Sequence, residues 1–436
     1  MTTLSLFAQV PGTARAETPA APVTPAPAET PTAPATPAPA VTPAAPATPA
    51  PAETPAADLS EIQAALAEDT GSASSVTPAE PAPRSAGGVQ SMNPELSLIA
   101  DFALAAFSDS EHHQTGGHDP AQNGFNLQAL ELSLGSAVDP YFRFDANIVF
   151  GLEEVEIEEA YATTLDLGGR FQARIGQFLT RFGRANPTHP HSWNFVDQPF
   201  WLGRVFGGEG NRGLGVELSY LTPLPWYVEL VLSSTLASGE GTARSFYADD
   251  DLGVNDPRDL LYVAAIKQFF PLSHDWSLAF GVSSAFGPNA SASDAHSEIY
   301  GADLYLKYKP ISEPGSTEVG LQAEWLYRRR ELAEGVLDDA GGYLELVTKF
   351  ARRYAVGARY ELGSPSYDRE RHVAVDPLDP DWTDLRSRSS LALTHTPSEF
   401  SRFRLQGSRD TGLGHTVWAA FLAAEFVTGA HGAHQF

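Results

Sequence analysis

Alternation of apolar and polar residues over runs of ten or more positions constrains this chain most, because a side-chain period of two belongs to an extended strand with two unlike faces. In 141–150 it sets Phe142, Phe144, Ala146, Ile148 and Phe150 against Tyr141, Arg143, Asp145 and Asn147. The pattern recurs downstream. Tyr300, Ala302, Leu304, Leu306 and Tyr308 stand opposite Gly301, Asp303, Tyr305 and Lys307. Val319, Leu321, Ala323, Trp325 and Tyr327 stand opposite Gly320, Gln322, Glu324 and Arg328, and Tyr354, Val356, Ala358 and Tyr360 opposite Gly357, Arg359 and Glu361. A soluble sandwich also alternates. The run length favours an all-β transmembrane antiparallel barrel: a tilted strand needs roughly 9–11 residues to cross a bilayer, whereas soluble strands average about 5–6. Tyr, Trp and Phe gather at the run ends, as an aromatic girdle requires.

The runs fall at 95–107, 124–135, 140–151, 155–166, 169–180, 213–222, 226–237, 260–270, 276–286, 297–309, 317–330, 341–350, 354–362, 386–396, 400–409 and 415–428, which is sixteen. Their connections alternate between short turns, expected in the periplasm, and longer links expected outside the cell, notably 108–123, 181–212, 238–259 and 363–385. The chain ends in Phe436, which shares parity with Phe426, Thr428, Ala430, Gly432 and His434. A closing aromatic of this kind resembles the signal read by the barrel-assembly machinery, so the last strand is expected to run to the terminus.

Ahead of the barrel, 95–436, the composition is different. Roughly half of the chain's 34 prolines precede residue 95. Residues 1–16 carry a short apolar stretch and Ala14-Arg15-Ala16, which fits an export signal whose start lies upstream. Residues 17–94 read as a disordered Pro/Ala-rich linker, interrupted by one helical pattern near 58–68 (Leu59, Ile62 and Leu66). The linker is expected in the periplasm.

The full chain has 28 Lys+Arg against 54 Asp+Glu, a formal charge of −26, which argues against a nucleic-acid partner. With no cysteine, disulfides, thiolate metal sites and a Cys nucleophile are excluded. Gly-x-Ser-x-Gly, phosphate-loop and His-Glu-x-x-His motifs are absent, so no enzyme activity is expected.

The segment Phe178–Pro199 is long for a connection and rich in aromatics, which on a barrel have a natural burial site inside the lumen. Its Gly176-Gln177-Phe178 and Arg181-Phe182-Gly183-Arg184 steps resemble the phosphate-selective porin O/P-type group. The stretch His189-Pro190-His191-Ser192-Trp193-Asn194-Phe195-Val196-Asp197-Gln198-Pro199, followed by Gly207-Gly208-Glu209-Gly210 and Gly213, is similar to porin-like proteins labelled zinc-regulated outer-membrane receptors. The resemblance covers 95–436. It implies an outer-membrane channel passing small hydrophilic solutes or ions by diffusion, set in outer-membrane lipid as a homotrimer. Active transport does not follow, since 1–94 cannot fold into the plug of a 22-stranded receptor.

Residues expected to line the pore or its constriction are Arg143, Asp145, Arg174, Arg181, Arg184, Asp197, Glu217, Asp303, Glu324, Arg328 and Arg359. Arginines facing carboxylates would set a field across the lumen; alternatively these charges only solvate it. No cofactor is expected beyond Zn²⁺, for which His112, His113 and His118 beside Asp119, and His189 and His191 beside Asp197, are the candidate ligands. The alternative function is a metal-capturing or adhesive outer-membrane receptor.

Overall fold

A computed structural model describes residues 94–429 apart from 153, 251 and 312–316. The segments expected to be an export signal and a linker with a helical pattern, and Phe436 with the expected end of the last strand, lie outside the described residues. Sixteen strands form the barrel: β1 Glu95–Phe107, β2 Gly124–Ala137, β3 Phe142–Phe150, β4 Val155–Thr164, β5 Phe171–Leu179, β6 Arg212–Leu221, β7 Tyr227–Leu236 and β8 Leu260–Pro271 make the first half. The second half is β9 Trp276–Pro288, β10 His296–Tyr308, β11 Glu318–Leu332, β12 Gly335–Phe350, β13 Tyr354–Gly363, β14 Arg386–Ser398, β15 Ser401–Gly412 and β16 His415–Gly429. Each pairs antiparallel with its neighbours, and β1 closes on β16 with Ser97 opposite Gly429 and Phe107 opposite Ala419. Closure removes both sheet edges, so the strands' backbone donors and acceptors find partners without water.

The two faces are inverted relative to a soluble protein. Leu232 is 56% exposed while its neighbour Ser233 is 1% exposed, and Leu391 is 67% exposed beside Ser390 at 2%. Leu218, Leu405, Leu422 and Phe426 also point outward. Lipid removes the cost of that exposure, and the charged side chains turn to the lumen. No helix among the described residues is long and apolar enough to cross a membrane.

Fifteen of the sixteen expected runs agree with their strands to within a few residues, and β12 departs by beginning six residues before the expected 341. The end of the alternating runs predicts a connection over 331–340; the strands instead continue as a hairpin turned by Ala333 and Glu334. Arg328 lies opposite Asp339 and donates two hydrogen bonds to it, from Nε at 3.0 Å and Nη2 at 2.6 Å, while Arg329 lies opposite Asp338.

Two strands carry an extra residue. In β2 the register with β1 passes from Ala129 to Leu127, leaving Gln128 unpaired. In β4 the register with β3 passes from Glu159 to Ile157, leaving Glu158 unpaired. A bulge of this kind re-aims side chains. Glu158 and Glu159 are consecutive, yet both are buried and both face the lumen.

Candidate functional site

The connection 180–211 folds into the barrel and is held there along its length. Next to β5, Arg181 donates to Glu217 of β6 at 2.9 Å and to Glu229 of β7 at 2.7 Å. Gly183 donates its backbone N–H to Ser283 of β9 at 3.0 Å, and Ala185 donates to Glu324 of β11 at 3.0 Å. Gly183 has φ +57°, and a Cβ there would fall 1.7 Å from Glu324 Oε1, so only glycine lets the chain pass this close to the wall. Arg184 lies over the Tyr305 ring at 4.0 Å and donates to Gln322 at 3.1 Å.

Further on, Asn194 donates to Glu345 of β12 at 2.7 Å. The backbone carbonyls of Trp193, Phe195 and Asp197 accept from Arg402, Arg404 and Arg359 at 2.9, 2.8 and 2.8 Å. The Asp197 carboxylate accepts from Arg359 at 2.6 Å and Gln406 at 2.8 Å and ion-pairs with Arg388 at 3.1 Å. Burial pushes this carboxyl up, but Arg388 and Arg359 outweigh it and hold it below the usual carboxylate range. Nearby Asp119, which lacks so direct a cation, is pushed up to about 6 by burial and by the Asp197 charge.

The segment then forms a short helix, α1, Phe200–Phe206, every residue of which is buried. Phe200, Trp201 and Phe206 join Phe182, Leu261, Ile299, Leu326 and Trp382 in an apolar cluster inside the barrel, so an oily patch of the inner wall matches an oily face of the loop. Arg204 of α1 reaches Asp379 at 3.2 Å and Asp339 at 3.4 Å, which ties the helix to the connection 364–385.

A second grouping forms where the connections 108–123 and 180–211 meet β2 and β4. His189 contacts Glu158 at 3.2 Å and Glu159 at 2.9 Å, and His191 contacts Glu131 at 3.0 Å. His118 Nε2 lies 3.3 Å from Glu209 Oε2. Burial disfavours the charged form of His118, yet Glu209 and Glu158 outweigh it and push its pKa up to about 10; His189 is likewise raised well above its ordinary value by Glu158 and Glu159 against the effect of burial.

The structure thus brings Arg181, Arg184, Asp197, Glu217, Glu324 and Arg359 together around the inward segment. Arg359 and Arg328, however, are 3% and 1% exposed: both are sealed in ion pairs, Arg328 with Asp339 and Asp376, and hold loops rather than border open space. Asp303 pairs with Lys267 at 3.3 Å, and Arg174 lies 3.8 Å from Glu217 and over Tyr161. Arg143 and Asp145 pair at 2.8 Å on β3, apart from the segment. Among the histidines, His112 stacks on Phe107 and bonds the Ala121 carbonyl, and His113 faces Asp410 at 3.5 Å, so neither joins the glutamate group. Sequence reasoning missed Glu131, Glu158, Glu159, Glu209, Glu361, Arg386 and Arg388. A pair of adjacent glutamates inside an otherwise alternating strand is the signal that would have found the bulge at Glu158.

No family model matches the sequence. The chain is 34% identical over 388 residues to an uncharacterized protein of Aquifex aeolicus (strain VF5), covering 79% of this chain and 80% of that protein. Among solved structures, 77% of the chain superposes on the anion-selective porin from Comamonas acidovorans (99% of that chain, TM-score 0.51, 10% identity) and on the outer-membrane channel DcaP of Acinetobacter baumannii (97%, TM-score 0.52, 10% identity). It also superposes on OprB of Pseudomonas putida (94% of that chain, TM-score 0.52, 9% identity). At such identities the likeness is one of fold. The chain therefore belongs to one family with the Aquifex aeolicus protein, and its fold is the porin-like sixteen-stranded outer-membrane β-barrel.

Proposed function

We propose that the chain is an outer-membrane diffusion channel of the porin type, through which small hydrophilic solutes or ions pass beside the 180–211 segment. The observation that carries this reading is a closed barrel, apolar outside and charged inside, with one connection pinned across the lumen by wall residues from β6 to β15. A pinned connection limits size by occupying cross-section, and fixed charges around it bias which ions enter. The long connections face the cell exterior. The chain enters β1 from the short-turn end, which supports a periplasmic N-terminal arm. The trimer form described for the Vibrio cholerae outer-membrane protein OmpT supports a trimer here.

Purified protein added to a planar lipid bilayer is expected to insert in discrete conductance steps, with a reversal potential in a salt gradient reporting the charge preference. Conductance indistinguishable from bare lipid would overturn the channel in favour of a surface receptor.

A further inference from the structure

The grouping of histidines and glutamates beside β2 and β4 carries more than loop anchoring. Among the described residues, two sets of side chains place ligand-type atoms within 4.8 Å of one another: His118, Glu158 and Glu209, and Glu131, Glu158 and His189. Glu158 belongs to both. The five come from four separated parts of the chain, namely two connections, the β2 wall and the β4 wall, so no local sequence preference gathers them.

His118 is poised as a ligand. It is 7% exposed, and its Nδ1 lies 3.2 Å from the backbone carbonyl of Gln128, the unpaired residue of the β2 bulge. Donating Nδ1–H to that carbonyl leaves the lone pair on Nε2, the arrangement that outer-shell partners impose on metal-bound imidazoles. Nε2 points at Glu209 Oε2, and neither atom makes a hydrogen bond of acceptable geometry. A buried imidazole nitrogen without a hydrogen bond, aimed at a carboxylate oxygen in the same state, is costly unless a proton or a metal cation lies between them. The second bulge supplies the remaining ligand. Without the extra residue in β4, Glu158 would turn to the outer face and only Glu159 would look inward.

We propose that this wall of the barrel binds a first-row divalent cation of the Zn²⁺ class between His118, Glu158 and Glu209, with His189 holding Glu158 from its other side, and that the bound ion stitches the connections 108–123 and 180–211 to β4. Mixed imidazole and carboxylate donors select such ions over Ca²⁺ and Mg²⁺, which take all-oxygen shells. Tetrahedral coordination at 2.0–2.2 Å needs donors about 3.4 Å apart, a contraction that small rotations of the glutamates supply. A proton on His118 Nε2 and the ion are alternative occupants of one position, and either would answer the excess of carboxylates.

The site is independent of conduction, so its test runs on full-length barrel refolded in detergent after chelator treatment. Zn²⁺ is titrated by calorimetry, Ca²⁺ serves as the hard-ion comparison, and Co²⁺ reports ligation through its visible absorption. Wild type is expected to bind Zn²⁺ at least about 100-fold more tightly than Glu158→Gln, which is the upper end of what even outer-shell losses cost. His112→Ala, outside both sets, is expected to bind as wild type does. Should Glu158→Gln fail to fold by circular dichroism, His118→Gln and His189→Gln, altered in connections rather than in the wall, carry the comparison. Equal Zn²⁺ affinity in wild type and these variants, Ca²⁺ binding as tightly as Zn²⁺, or Co²⁺ spectra unchanged from the aqueous ion would overturn the proposal and leave a protonated-imidazole clamp.

Discussion

Arg359 of β13 holds Asp197 twice, donating from Nη2 to the carboxylate at 2.6 Å and from Nη1 to the backbone carbonyl at 2.8 Å. A wall residue thus fixes both the side chain and the main chain of the inward connection at one point. Arg388 adds a second cation at 3.1 Å, and all three residues are withdrawn from solvent.

Asp197→Ala leaves two guanidiniums sharing what remains of their buried partners. Removing one member of a buried pair costs roughly 3–5 kcal/mol. That loss is expected to fall on the docking of 180–211, because the ladder from β1 to β16 does not involve Asp197. The variant should keep wild-type strand content by circular dichroism while its connection becomes a protease target, and single-channel records should show larger, noisier steps. A variant as protected and as quiet as wild type would mean that Asp197 does not hold the segment.

Gly183→Ala tests the close approach to Glu324. An L-residue at φ +57° costs about 1–2 kcal/mol, and the added Cβ must also displace the Glu324 carboxylate from the backbone N–H groups of Arg184 and Ala185. Thermal unfolding in detergent should begin lower than in wild type, whereas Gly168→Ala, where an added Cβ meets nothing within 4 Å at φ +71°, bears only the backbone part.

Acid should release the connection 364–385. Asp376 is buried, which raises its carboxyl, yet Arg328 and Arg330 at 2.7 Å each outweigh that and hold it below its ordinary value; Asp379 is lowered in the same way by Arg244 and Arg204. A carboxylate whose folded pKa is depressed stabilises fully above its unfolded value of about 3.9 and loses that contribution as pH falls through the lower folded value. Trp382, 2% exposed against Trp201 and Phe200, reports on this docking. Its fluorescence is expected to stay blue-shifted from neutral pH down to about 4 and to redden below. Asp376→Asn should be reddened already at neutral pH; if it is not, the ion pairs do not hold this connection.

The strands were legible because burial in a barrel wall is a period-two problem, so each alternating run in the sequence encodes its own face. The inward fold of 180–211 was legible for a related reason: Phe182, Phe195, Phe200, Trp201 and Phe206 cannot all stay in water, and a barrel offers one place to put them. What escaped was every feature that depends on long-range partners. Arg328 and Arg359 have the parity of lumen residues, and nothing local distinguishes an arginine that meets water from one that meets Asp376 or Asp197. The bulges at Gln128 and Glu158 break the period that made the rest readable, so Glu158 and Glu159 carry no face assignment until β3 and β4 are paired. The stretch 331–340 carries no face assignment of its own, and its place in a hairpin depends on partners far along the chain: Arg328 meets Asp339 across the ladder and Asp376 of the connection 364–385.

Leu391→Arg decides whether the apolar exterior faces lipid. Leu391 stands in the middle of β14, opposite Ala358 and Gly407, and is 67% exposed with its side chain directed away from the lumen. On a water-facing sheet an arginine there would be neutral or mildly stabilising, since exposed surface substitutions usually change stability by less than about 0.5 kcal/mol. At the centre of a bilayer it costs about 2–4 kcal/mol, and the cost fades toward the interfaces. Reversible folding into lipid vesicles should therefore be weakened by Leu391→Arg and far less by Tyr354→Arg, placed at the rim beside the short turn 351–353. Equal effects at the two positions, or recovery of Leu391→Arg from the aqueous phase without detergent, would sink the transmembrane reading.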